Sequence, residues 1–93
     1  MEVTDNKDMR HFEATINDEL AIIEYQIQEK KYFLTKAIFP EAASQEQHFE
    51  MIESALNMIE ETGMRVVPMT KPIKEFFKKN RDRRNLLPVG IHL

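Results

Sequence analysis

Hydrophobic positions along this chain follow two different periods, one on each side of Pro40. Phe12, Ala14 and Ile16 alternate with Glu13 and Thr15, the two-residue period of a half-buried strand. Asn17-Asp18-Glu19 supplies a turn. Leu20 to Gln28 then sets Ile23, Tyr25 and Ile27 against Glu24, Gln26 and Gln28, which predicts a second strand. Glu29-Lys30-Lys31 turns the chain again. Tyr32 to Phe39, rich in aromatic and β-branched residues, predicts a third strand that ends at Pro40. Connections this short predict an antiparallel meander.

Beyond Pro40 the period becomes helical. Ser44 followed by Gln47 has the form of a capping box, in which hydroxyl and side-chain amide satisfy orphaned backbone amides. Phe49, Ile52, Ala55-Leu56 and Ile59 recur at helical spacing, Met51 and Met58 widen the stripe, and Gly63 is the expected stop. Met64 to Met69 is too brief for a helix and suits a buried strand around Val66-Val67. Thr70, or the residue after it, opens a second helix that tolerates Pro72 in its first turn and turns Ile73, Phe76 and Phe77 inward. The predicted order is βββαβα, with a connection from Phe39 to Val66 long enough for a parallel crossover. The fold class is α/β (α+β): an antiparallel meander joined to a parallel strand, with helices packed on the sheet. Residues 1–9 are expected as a flexible arm or a short edge segment, 10–87 as the domain and 88–93 as an apolar tail. That tail either folds over the core or docks on another subunit.

Composition narrows the chemistry. At 93 residues the chain is one domain, and it buries a little over ~60% of its unfolded surface. A 42% hydrophobic content suffices for a packed interior. There is no cysteine, which removes disulfides, thiolate metal sites and a cysteine nucleophile. No metal-ligand spacing is present, so no metal is expected. Without a signal peptide or long apolar run, the expectation is a cytoplasmic protein with no membrane association.

Charge is uneven. Residues 1–70 hold six Lys/Arg against fourteen Asp/Glu, and residues 71–93 hold seven against two. Lys71, Lys74, Lys78, Lys79, Arg81, Arg83 and Arg84 form the basic cluster. No aromatic residues interleave with it, so it reads as a solvated helix face and a tail complementing the acidic remainder, not as a nucleic-acid surface.

The stretch Arg65-Val66-Val67-Pro68-Met69-Thr70-Lys71-Pro72-Ile73-Lys74-Glu75-Phe76-Phe77-Lys78-Lys79-Asn80-Arg81 is similar, without a gap, to the K-V-V-P-L-C-P-F-V-x-x-Y-I-K-K-H-P signature of small GNAT-type N-acetyltransferases. Ala55-Leu56-Asn57-Met58-Ile59-Glu60-Glu61-Thr62-Gly63 resembles that family's A-L-x-x-I-E-E-x-G. Leu34-Thr35 followed by Phe39-Pro40 matches the edges of its L-T-H-T-E-V-P strand. The resemblance covers residues 10–87. It implies a cofactor held where two strands splay apart, and acetyl-CoA-dependent acyl transfer to an amine.

The family's reactive residues are replaced. Its H-T-E run falls on Lys36-Ala37-Ile38 and its cysteine on Thr70, so Lys36 and Thr70 are the family-equivalent catalytic positions. Lys36 is a poor base near neutral pH, and Thr70 reads as a helix cap. The resemblance implies that the backbone of Ala37, Ile38 and Phe39 is the strand segment that would pair with the pantetheine of a bound cofactor. The phosphate loop falls on Ser44, Gln45, Glu46, Gln47 and His48, and no glycine lies between Pro40 and Gly63. Glu46 would repel a diphosphate. His48, one turn into the helix, reads as a surface residue, and His11 and His92 have no paired acid in sequence reach. The expectation is a degenerate GNAT-like domain that binds no cofactor and serves as a structural or binding module, for a protein partner or for itself. The alternative is an active transferase that binds acetyl-CoA at a non-standard site and relies on direct attack by the amine.

Overall fold

A computed structural model describes residues 1–93. The strands are Thr4–Asn6 (β1), His11–Ile16 (β2), Glu19–Gln28 (β3), Lys31–Ile38 (β4) and Arg65–Pro68 (β5). The helices are Gln45–Thr62 (α1) and Lys71–Lys79 (α2), followed by a 3-10 helix over Arg81–Leu86. One sheet runs β1-β2-β3-β4-β5, antiparallel up to β4 and parallel between β4 and β5. This is an α+β domain with a mixed five-stranded sheet. Alternation predicts three strands before the long helix, and the structure has four. Residues 1–9 form the edge segment of the two readings: Thr4–Asn6 pairs with His11–Glu13, and Val3 is buried.

The β2–β3 and β3–β4 hairpins close on two-residue loops. Asn17 and Asp18 have φ of 52° and 66°, and Glu29 and Lys30 have 49° and 61°. Positive φ at both central positions matches the right-handed twist of the flanking strands. Asn and Asp accept that geometry readily; Glu and Lys do so at a cost.

Strand parity sends one set of side chains to the core. Phe12, Ala14, Ile16, Ala21, Ile23, Tyr25, Tyr32, Leu34 and Val66 lie on one face and join Met51, Ile52, Ala55, Leu56 and Ile59 of α1 and Ile73, Phe76 and Phe77 of α2. The two helices share that face, and Phe49 and Phe76 meet edge to face with centroids 5.2 Å apart. On the other face Leu20 and Ile38 are exposed and Ile22, Phe33 and Val67 only half-buried. Of the last residues, Leu87 and Leu93 pack against the core while Val89 is fully exposed.

Candidate functional site

β4 and β5 pair only from Lys31/Arg65 to Leu34/Pro68. The last link is the Met69 N–H donating to the Leu34 carbonyl at 3.1 Å, after which the chain turns into α2. β4 itself continues to Ile38, so its outer edge from Thr35 to Ile38 has no strand beside it. A bulge sits at the point of divergence. Tyr25 pairs with Leu34 but Glu24 with Lys36, leaving Thr35 as the extra residue, its hydroxyl donating to the Glu24 carbonyl at 3.4 Å. A bulge bends its strand and sharpens the twist, which carries the end of β4 away from β5.

The strand end leads into α1, whose start closes on itself. The Gln47 N–H donates to Ser44 Oγ at 3.2 Å, and the Ser44 N–H donates to Gln47 Oε1 at 2.9 Å, the reciprocal capping box expected there. Two of the orphaned amides at this terminus are thereby taken, leaving those of Gln45 and Glu46. The side chains are occupied as well: Gln47 Nε2 donates to Asn17 Oδ1 at 3.1 Å, and Lys79 Nζ donates to Gln45 Oε1 at 3.0 Å. The Glu46 carboxylate stands in the first turn, where it complements the helix dipole and disfavours a second anion.

The remaining predicted positions scatter. Lys36 is exposed on the uncovered face, opposite Glu24. Ile38 is on that face too, opposite Ile22, whereas Ala37 packs against the core. Thr70 occupies the cap position of α2, but its hydroxyl makes no capping hydrogen bond, so α2 starts on Pro72 and packing alone. No hydrogen bond or ion pair joins Lys36, Thr70 and His48.

Two histidines depart from the sequence reading. His48 is not a simple surface residue. Its ring stacks on Phe39 with centroids 4.0 Å apart and planes 14° from parallel, and its Nε2 is buried without a partner. Burial lowers its pKa below the ordinary histidine value. His11 does have an acid in reach: its Nε2 lies 2.9 Å from Glu13 Oε1, which also accepts from Asn6 Nδ2 at 2.9 Å. Those hydrogen bonds, Asn6 first and His11 second, hold the Glu13 carboxyl below its usual range. The signal was present in the sequence, because residues i and i+2 of a strand share a face.

The basic C-terminal segment docks on the acidic helix through Arg83. Its Nη2 donates to Asn57 Oδ1 at 3.1 Å and its Nη1 to Glu60 Oε1 at 3.4 Å. Its Nε lies 3.0 Å from Glu53 Oε2, an ion-pair contact outside the N–H axis. Arg84 Nε donates to the Phe77 carbonyl at 2.9 Å, and Arg65 Nη1 donates to the Asn85 carbonyl. Charge complementarity inside the domain is thus realised.

The surface has three cavities, of about 370, 270 and 180 Å³. None is lined by residues 36–48 or by Thr70. No group of three or more His, Asp or Glu side chains is arranged to hold a metal ion, and no helix is long and apolar enough to cross a membrane. No protein-family model matches the chain, and no curated protein matches it either.

Proposed function

We propose that this chain is a GNAT-like domain that has lost acetyl transfer and serves as a binding or structural module. The reading rests on the motif resemblance over residues 10–87. It is supported by the parallel β4–α1–β5 unit, the divergence of β5 from β4 after Leu34, and the bulge at Thr35 where they part.

The observation that carries the loss of function is the closed capping box at the start of α1. A diphosphate bound there needs several free amides and close backbone approach, which glycines permit. Here Ser44 and Gln47 consume two amides, Glu46 adds negative charge, and no cavity opens beside them. The positions of the family's histidine and cysteine carry Lys36 and Thr70, which no hydrogen bond or ion pair joins.

A second reading has one observation in its favour. The unpaired edge of β4 from Thr35 to Ile38 offers backbone groups that an extended pantetheine arm would pair with. On that reading the chain is an acetyl-CoA-dependent transferase in which a positioned amine attacks the thioester directly.

Thermal melting with millimolar acetyl-CoA separates the two. The module reading expects no change in Tm for the native chain and a rise for a Ser44→Gly/Gln47→Gly variant. A rise for the native chain overturns it and directs the search to an amine acceptor.

A further inference from the structure

The largest cavity lies elsewhere. It has a volume of about 370 Å³ and is lined by Lys7, Arg10, Tyr25, Ile27 and Tyr32. This is within the range of about 300–1,000 Å³ that small-molecule sites occupy. None of these residues belongs to the diverging β4–β5 edge or to the start of α1, so the inference is independent of the reading above.

Its floor and walls are fixed by packing. Tyr25 and Tyr32 are mostly buried, their rings 5.0 Å apart, and each also packs on Phe12. Ile27, directly opposite Tyr32 in the β3–β4 ladder, is 45% exposed, an apolar side chain left open to whatever enters.

The backbone that carries the two cations is pinned too. Asn6 Oδ1 accepts the Met9 N–H at 3.2 Å, and Asn6 Nδ2 donates to Glu13 across the strand pair. The Arg10 carbonyl accepts the Tyr25 N–H at 3.0 Å, which ties the β1–β2 turn to β3. Arg10 itself is held at φ 56°.

Within this rigid frame the charges are unspent. Arg83, Lys78, Lys79 and Arg84 all find partners in the fold, but neither Lys7 nor Arg10 makes a side-chain hydrogen bond or an ion pair. Asp5 is tied to the cavity wall, where it accepts the Tyr25 hydroxyl at 2.6 Å. The lining itself carries two cations and no carboxylate. The Tyr32 hydroxyl has no hydrogen-bond partner and remains a free donor.

We propose that this cavity binds a small organic monoanion: a planar carboxylate with an apolar or aromatic body. The guanidinium of Arg10 presents two parallel donors that match a carboxylate, and Lys7 adds a point charge. The body lies against Ile27 and the tyrosine rings. Asp5, held on the Tyr25 hydroxyl, is a repulsive neighbour for a dianion such as a phosphate monoester.

An NMR titration of the intact protein with benzoate tests the site, with benzamide and inorganic phosphate as comparators. Benzoate is expected to shift the ring signals of Tyr25 and Tyr32 and the amides of residues 7–10, saturating in the millimolar range. Arg10→Gln is expected to weaken binding by about tenfold, Arg10→Lys by less, and Lys7→Ala by a few-fold. These side chains hold nothing else in the fold, so an unchanged amide spectrum elsewhere shows that each variant is folded. No shifts with benzoate overturn the site. Equal binding of benzamide, or benzoate shifts untouched by Arg10→Gln, overturn the role of charge. Binding of phosphate in place of benzoate overturns the ligand class.

Discussion

Phe39 and His48 stack face to face, 4.0 Å between ring centroids, and so join the last residue before Pro40 to the first turn of α1. The contact seals the corner between β4 and the helix with an imidazole whose Nε2 has neither water access nor a partner. Burial is the cause of its lowered pKa, and no charged group contributes to the shift.

That arrangement fixes a sign. A histidine whose folded pKa lies below its unfolded value binds protons more weakly in the fold, so acid favours unfolding. Its contribution is intact above the unfolded pKa of about 6.5 and is lost as pH falls from there toward the lowered folded value. Melting curves between neutral and mildly acidic pH should therefore show a loss of Tm that His48→Phe reduces. The phenyl ring keeps the stack and removes the unpartnered nitrogen. An identical pH slope in the variant would rule out His48 as its source.

Tyr25 carries a second pH dependence, of opposite sense. Burial, followed by its bond to Asp5, pushes its phenol well above the ordinary tyrosine range. An acid with a raised folded pKa contributes stability that is lost as pH climbs past its unfolded value of about 10. Spectrophotometric titration should show Tyr25 ionising only together with unfolding. Tyr25→Phe removes the 2.6 Å bond to Asp5 and should lower stability by about 1–3 kcal/mol by denaturant melting.

Most of the fold is legible because the periods are clean. Phe12, Ala14 and Ile16 alternate and are all buried on one face; Ser44, Gln47 and Gly63 bracket the long helix, which spans Gln45–Thr62. β1 is not legible in the same way. Thr4-Asp5-Asn6 has no apolar alternation, and its anchors are Val3 beside it and the distant Tyr25. The 3-10 turn is hidden for a related reason, since Arg81 to Asn85 present only polar side chains and the turn is placed by Arg83 and Leu86. His48 is misread from sequence because helix position alone does not reveal that Phe39 covers it. The cavity of Lys7, Arg10, Tyr25, Ile27 and Tyr32 draws on three separate segments, and only pairing of β2, β3 and β4 assembles it.

The β3–β4 hairpin contains a removable strain. Glu29 and Lys30 both hold positive φ, a conformation that Asn and Gly adopt with little penalty. The only contact at stake is the 3.7 Å pair between Lys31 and the highly exposed Glu29, which contributes little. Glu29→Asn/Lys30→Gly should therefore raise stability by roughly 1 kcal/mol, the lower strain outweighing the added freedom of the unfolded glycine. A fall in the denaturant midpoint would show that the lost glutamate contact and the glycine's added freedom outweigh the strain at this turn.

Arg83 gives the most direct test of how the C-terminal segment is held. It reaches Glu53, Asn57 and Glu60, which recur at helical spacing along one face of α1, while its own side chain is only 15% exposed. The partners are nearly half exposed, so screening by water keeps the ionic part modest. Burial of the arginine stem contributes separately, because its methylenes cover apolar surface. Arg83→Met retains most of that packing and removes the charge; it should cost roughly 1 kcal/mol or less. Arg83→Ala removes both and should cost more, with earlier amide exchange across residues 81–86 than in the helices. Raising salt should narrow the gap between the native chain and Arg83→Met, since only the ionic part is screened. Equal stability of all three proteins would mean that Leu86, Leu87 and the hydrogen bonds of Arg84 and Arg65 anchor the segment without Arg83.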